Sequence, residues 1–216
     1  MEKQLLSSTV VVAAKQFNPS LVREHWLISN GFVSADDFLQ GCVFTDMFVN
    51  VASKRFHLLV APEQIQFTPI GKADEHAAIV GDTVGKFVER LPHTPYTAIG
   101  LNFVWQLTPK DESVRELGRR LFMSESPLHQ HFAAEDAYYG GYFSVDAIGC
   151  RMKLDIKPAI IPTAGDPTDV LRMNFNFHRD VHENPVEQIQ EMLGKWNEAL
   201  AKSSEVAEAM YRAEKV

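Results

Sequence analysis

The chain predicts an α+β fold, a mostly antiparallel sheet with amphipathic helices gathered on one face. Three observations carry this. Residues Thr97–Leu107 alternate strictly, with Ile99, Leu101, Phe103, Trp105 and Leu107 on one parity; a period of two is the signature of a half-buried strand. Ala77, Val80, Val84, Phe87, Val88 and Leu91 fall on one stripe of helical period. The third is a long final helix with an apolar stripe of Val186, Ile189, Leu193, Trp196 and Leu200, following a run of strands.

Along the chain, Val10–Phe17 is short, β-branched and stopped by Asn18-Pro19, so it reads as a strand. Pro19 suits a first helical position with Asn18 as cap, and Leu21–Ser29 reads as a short helix ended at Asn30-Gly31. Phe38–Ser53 reads as one strand with bulk on both faces. Phe56–Val60 and Gln64–Thr68 continue the sheet around Pro62. The 77–91 helix closes at Pro92.

Beyond the 97–107 strand, Asp111–Phe122 is a helix with Val114, Leu117 and Leu121 inward. Residues 124–141 have no clean period. Tyr142–Lys157 reads as one strand whose phase shifts: Phe143 and Val145 lie on one parity, Ile148, Cys150, Met152, Leu154 and Ile156 on the other. A bulge near Ala147 or Gly149 reconciles them. Leu171–His178 is a strand with Leu171, Met173, Phe175 and Phe177 facing in. The final helix starts with Asn184 as cap, Pro185 first, and Glu187 in the capping-box position.

The whole chain, 1–216, reads as a single globular domain. The order strand, short helix, strands, long helix occurs twice, which suggests an internal repeat with similar halves at 8–92 and 96–213. Two such units can pair their sheet edges.

Composition narrows the function. A chain of 24.3 kDa buries roughly 70% of its unfolded surface and needs neither disulfide nor metal to hold its core. With 45% hydrophobic and 23% charged residues, it is globular and not disordered. The net charge of −7 argues against general nucleic-acid binding, which wants a basic surplus. No stretch reaches the roughly 18 apolar residues of a spanning helix, which argues against a membrane protein. The two cysteines, Cys42 and Cys150, lie far apart and read as reduced thiols of a cytoplasmic protein.

Motif by motif, the chemistry is sparse. His129 and His131 sit near Glu135 and Asp136, and His178 and His182 lie four apart across a strand end; neither spacing makes a metal site in its context, so no metal and no cofactor is expected. Gly81-Asp82-Thr83-Val84-Gly85-Lys86 has the wrong spacing for a phosphate loop and lies within a helix. Arg115, Arg119 and Arg120 read as a solvated helix face beside Glu112 and Glu116. No catalytic residue is identified, and the sequence does not decide whether the protein is an enzyme.

One polar pattern stands out. Arg151 and Lys153 take the outward parity of one late strand, and Arg172, Asn174, Asn176 and His178 that of the next. Together with His131 they compose a candidate ligand-binding face, locally basic on an acidic protein, fit for an anionic small molecule or an acidic protein segment, with 124–141 as a flap.

Two functions follow. The first is a non-catalytic interaction or assembly protein that self-associates, as a homo-oligomer (a dimer), through a sheet edge or the final helix, whose stripe resumes at Val206 and Met210. The alternative is a small-ligand-binding protein or enzyme using the polar face with His129, His131 and His178.

Overall fold

A computed structural model describes residues 1–123, 130–162 and 166–213. The strands are β1 (Glu2–Ala14), β2 (Val43–Phe44), β3 (Val49–Ala52), β4 (Phe56–Ala61), β5 (Gln64–Pro69), β6 (Tyr96–Thr108), β7 (Gly141–Ala147), β8 (Cys150–Ile161) and β9 (Thr168–Asp180). The helices are α1 (Glu24–Ser29), α2 (His76–Val80), α3 (Lys86–Arg90), α4 (Val114–Phe122), α5 (Pro185–Gly194) and α6 (Trp196–Ala213). The strands form one open antiparallel sheet in the order β2-β3-β4-β5-β1-β6-β9-β8-β7. The α+β class and the antiparallel sheet therefore stand as the sequence predicts them.

By packing, the chain makes two compact units. One comprises Ser8–Asn102 and Phe177–Ala199; the other comprises Met1–Ser7, Phe103–Asn176 and Leu200–Val216. In the first, Val10 and Val12 pair in register with Phe67 and Ile65, and Leu58 and Val60 follow on the next strand. All are buried. Trp26 stacks on Phe32 at 5.3 Å and meets Phe87 edge-on at 5.5 Å. The buried Ser8 hydroxyl lies 3.0 Å from His76 Nδ1, and His76 Nε2 lies 3.2 Å from the Gly71 carbonyl. A neutral ring satisfies both contacts, with Nε2–H donating to the carbonyl and Nδ1 accepting from the hydroxyl.

In the second unit, α6 from Leu200 onward is docked through Ser203, Ala207 and Glu208. Trp105 Nε1 donates to the fully buried Ser203 hydroxyl at 3.0 Å, and Ser203 in turn donates to the Leu200 carbonyl at 2.8 Å. Ala207 is also fully buried. Lys3 Nζ pairs with Glu208 at 2.9 Å and lies over the Trp105 ring.

Several local expectations change. The single strand 38–53 is β2 and β3 joined by a turn at Thr45, whose hydroxyl accepts from the Met47 and Phe48 amides and donates to the Phe48 carbonyl. A threonine side chain that imitates backbone bonding turns the chain where alternation alone sees a continuous strand. The 77–91 stripe is not one α-helix: α2 and α3 flank a π-helical turn, Gly81–Gly85. The apolar stripe survives that change, since Val80, Val84, Phe87 and Val88 are all buried.

The final helix breaks at Lys195 into α5 and α6. Asn184 sits in the left-handed region at φ 50 and makes no side-chain cap. The capping box appears instead at α4. There Ser113 accepts from the Glu116 amide, and Glu116 accepts from the Ser113 amide and hydroxyl, which holds its carboxyl below the usual range.

The largest change concerns 142–157. This segment is two strands, β7 and β8, paired from Gly141↔Ile156 to Ala147↔Cys150. Ile148 at φ 50 and Gly149 at φ 75 form the turn. The parity shift read as a bulge is the hairpin turn itself. An even-numbered loop puts Phe143 and Val145 on the same face as Leu154 and Met152, which lie opposite them.

Candidate functional site

The β7–β8 hairpin builds an exposed apolar cluster at the rim of the second unit. A two-residue loop with both central residues at positive φ makes the flanking pair, Ala147 and Cys150, a hydrogen-bonded pair. Alternation then points the backbone N–H and C=O of Tyr142, Ser144 and Asp146 away from β8. Since β7 ends the strand order, these groups face an edge that no further strand covers among the described residues. Among the described residues, the side-chain group on that ladder is Arg151 Nη2, at a long 3.4 Å from the Ser144 carbonyl.

On one face of β7, Phe143 and Val145 continue the apolar row of Leu154 and Met152. The cover from α4 stops short of them: Phe122 reaches the Phe143 ring at 6.4 Å, yet Phe143 is 52% and Val145 51% exposed. Met123 follows, also exposed. On the other face, Tyr142 is 65% exposed. There Arg151 donates from Nε to the Ser144 hydroxyl at 2.7 Å and from Nη1 to Asp146 at 3.0 Å, so the one charge on β7 is neutralised from β8.

The polar face read from the sequence belongs largely to this unit. Arg151 and Lys153 lie on the face of β8 that carries Ser144 and Asp146 opposite them. Lys157 pairs with Asp155 at 2.6 Å. Arg172, Asn174 and Asn176 take the half-buried parity of β9. Asn174 Nδ2 lies 3.4 Å from the Asp155 carbonyl, and the buried Nε of Arg172 has no hydrogen-bond partner among the described residues. His178 lies in the other unit, 3.1 Å from Asp180.

His131 is exposed, in a turn of the 130–140 segment. That segment is fastened to α4. The Arg115 guanidinium lies 4.7 Å from the Tyr138 ring centre and Arg119 lies 5.9 Å from that of Tyr139. Arg119 also donates to the Ala134 carbonyl at 3.0 Å, and Tyr138 donates to Asp169 at 2.9 Å. Gly118 admits the Tyr139 backbone, whose oxygen would lie 3.0 Å from any Cβ placed there. These contacts fasten 130–140 to α4, whose Phe122 approaches the Phe143 face of β7, the face opposite to the one that carries Arg151 and Lys153. His129 and the rest of the flap, 124–129, lie outside the described residues.

The arginines read as a solvated face are thus engaged. Arg120 pairs with Glu112 and donates to the Ala213 carbonyl at 2.7 Å. Tyr138, by hydrogen bonding and charge, together with Asp169 and Asp136, raises the Arg115 pKa above its ordinary value. Cys42 and Cys150 are thiols and form no disulfide. Among the described residues, no three His, Cys, Asp or Glu side chains gather to hold a metal, and no helix is long and apolar enough to cross a membrane.

The first unit offers an open groove of about 450 Å³ lined by Gly81, Gly85, Gly194 and Leu193, with Gln190 donating to Glu89 across it. Those two polar side chains satisfy one another. The edge of β7 is the feature that sequence reading missed. Its signal was Gly149, the turn residue after an alternating apolar run.

No protein-family model matches the chain, and no curated protein does either.

Proposed function

We propose that the protein is a non-catalytic assembly protein that self-associates through the open edge of β7. One observation carries this reading. β7 is an edge strand of seven residues that, among the described residues, lacks the usual protections against pairing. It holds no lysine and no proline, and its single charge, Asp146, is taken up by Arg151. Natural edge strands are commonly blunted by lysine, proline, bulges or a covering element. The opposite edge, β2, has only two residues, which is the short-strand form of that protection. Phe143 and Val145 beside the open ladder supply apolar area to bury, at about 0.2–1 kcal/mol for each cross-strand pair formed. The final helix adds less to this reading than its sequence suggests, because its Ser203 and Ala207 are already buried within the unit.

The test is the mass in solution. The intact chain at ~10–100 µM, a range suited to an interface below the standard size, is expected to sediment as a dimer. Val145→Lys places a charge on the exposed edge and is expected to sediment as a monomer with an unchanged melting profile. A monomeric parent at the top of that range, or a Val145→Lys variant that still dimerises, overturns the reading.

A second reading keeps the polar face as an anion site, on the strength of the buried Arg172 Nε. Isothermal titration with inorganic phosphate tests it: heat lost in Arg172→Gln supports it, and no heat from the parent at millimolar phosphate removes it.

A further inference from the structure

We infer that the occupant of the β7 edge is a second copy of this chain, paired antiparallel about a two-fold axis at Ser144. This rests on the self-association reading above and adds to it a register and a symmetry. Tyr142, Ser144 and Asp146 are the residues of β7 whose N–H and C=O point outward. An antiparallel copy centred on Ser144 sets Ser144 opposite Ser144, Tyr142 opposite Asp146, and Asp146 opposite Tyr142. Every outward N–H and C=O then has a partner. Moving the centre to Phe143 places Asp146 opposite Gly140, beyond the strand, and moving it to Val145 places Tyr142 opposite the turn at Ile148. Each shifted register leaves backbone groups of an edge residue unpaired, at a cost comparable to a lost hydrogen bond.

Side chains select the same register. On the face shared with Leu154 and Met152 it sets Phe143 against Val145 of the second copy, an aromatic–β-branched pair, and reciprocally Val145 against Phe143. The rows Leu154, Phe143, Val145, Met152 then run unbroken across four strands, two from each copy. On the other face Asp146 meets Tyr142 and stays beside its own Arg151, so no like charges are opposed. A slip of one residue turns apolar against polar, because opposite residues of antiparallel strands share a face. The contact is isologous and closes at two copies. A head-to-tail array is disfavoured by β2, which offers a two-residue ladder at most.

Cysteine crosslinking reads the register directly. Hydrogen-bonded opposite residues have Cα atoms about 5.5 Å apart, within disulfide range, whereas diagonal positions lie about 7–8 Å apart or more, beyond it. Ser144→Cys is expected to give a covalent dimer on mild oxidation, seen on a non-reducing gel. Phe143→Cys alone is expected to give none above the background of the parent with Cys42 and Cys150. Phe143→Cys mixed with Val145→Cys is expected to crosslink. A covalent dimer from Phe143→Cys or Val145→Cys alone, with none from Ser144→Cys, overturns the register while the β7 edge stands. A dimer by sedimentation that none of these variants crosslinks overturns the edge pairing itself. A monomeric parent overturns both readings together.

Discussion

Replacing Ser203 by alanine removes the partner of a buried indole. The Trp105 N–H donates to the Ser203 hydroxyl at 3.0 Å, and Ser203 is fully buried. In Ser203→Ala the indole keeps its place, because Trp105 is only 8% exposed, but its N–H loses its partner. An unsatisfied buried donor costs about 1–3 kcal/mol, more than the net value of the bond that filled it. For a chain of this length that lowers the melting temperature by roughly 2–12 °C. The bond from Ser203 to the Leu200 carbonyl adds little, since it is a local back-bond within the helix.

A double-mutant cycle isolates the effect. In a Trp105→Phe background there is no indole to strand, so Ser203→Ala is expected to cost less by about 1 kcal/mol or more. Thermal melts by circular dichroism give all four corners of the cycle. The emission of Trp105 against that of Trp26 and Trp196 reports whether the indole moves. If Ser203→Ala melts within about 1 °C of the parent, or costs as much in the Trp105→Phe background as in the parent, the account of this contact is wrong.

Three further outcomes follow from the same physics. Tyr96 is 5% exposed and its burial pushes its hydroxyl up to about 12 from 10. A folded pKa above the unfolded one means that this stabilisation is intact below pH 10 and is lost between pH 10 and 12, about 3 kcal/mol in all; denaturant unfolding across that range is expected to show an alkaline limb that Tyr96→Phe lacks. Ile148 holds a β-branched residue at φ 50, a conformation costing roughly 1–2 kcal/mol. Ile148→Asn, which gives the Asn-Gly turn preferred by such hairpins, is expected to raise the melting temperature by a few degrees, and an unchanged or lowered value refutes the strain. A Cβ at Gly140 would lie 2.2 Å from the Ile156 carbonyl oxygen, so Gly140→Ala is expected to loosen the start of β7, read as faster amide exchange at β7 and β8 with little change elsewhere.

How much of this was legible in the sequence depends on the range of the interaction. The alternation through Ile99, Leu101, Phe103, Trp105 and Leu107 and the stripe through Val80, Val84, Phe87 and Val88 are local patterns, and both sets are buried. A helical period and a strand period are written into consecutive residues, so the class follows from the chain alone. The breaks were harder. Thr45 turns the chain with its own hydroxyl, Ile148 occupies a backbone region that isoleucine avoids, and the 81–85 turn widens a helix without disturbing its stripe. None of the three shows in a hydrophobic period: a side-chain bond to nearby backbone, a positive φ and a widened helical turn leave the parity or the stripe around them readable as continuous.

The candidate site shows the same division. Arg151, Lys153, Arg172, Asn174 and Asn176 could be marked as outward polar positions from the sequence, because parity is local. That Phe143 and Val145 share a face follows in the same way. Other facts belong to the folded chain: β7 ends the sheet, α4 leaves Phe143 and Val145 half exposed, and the arginines of α4 hold 130–140 against that helix. An edge is defined by the strand that does not come next, and that depends on every pairing in the sheet. No window of residues contains it.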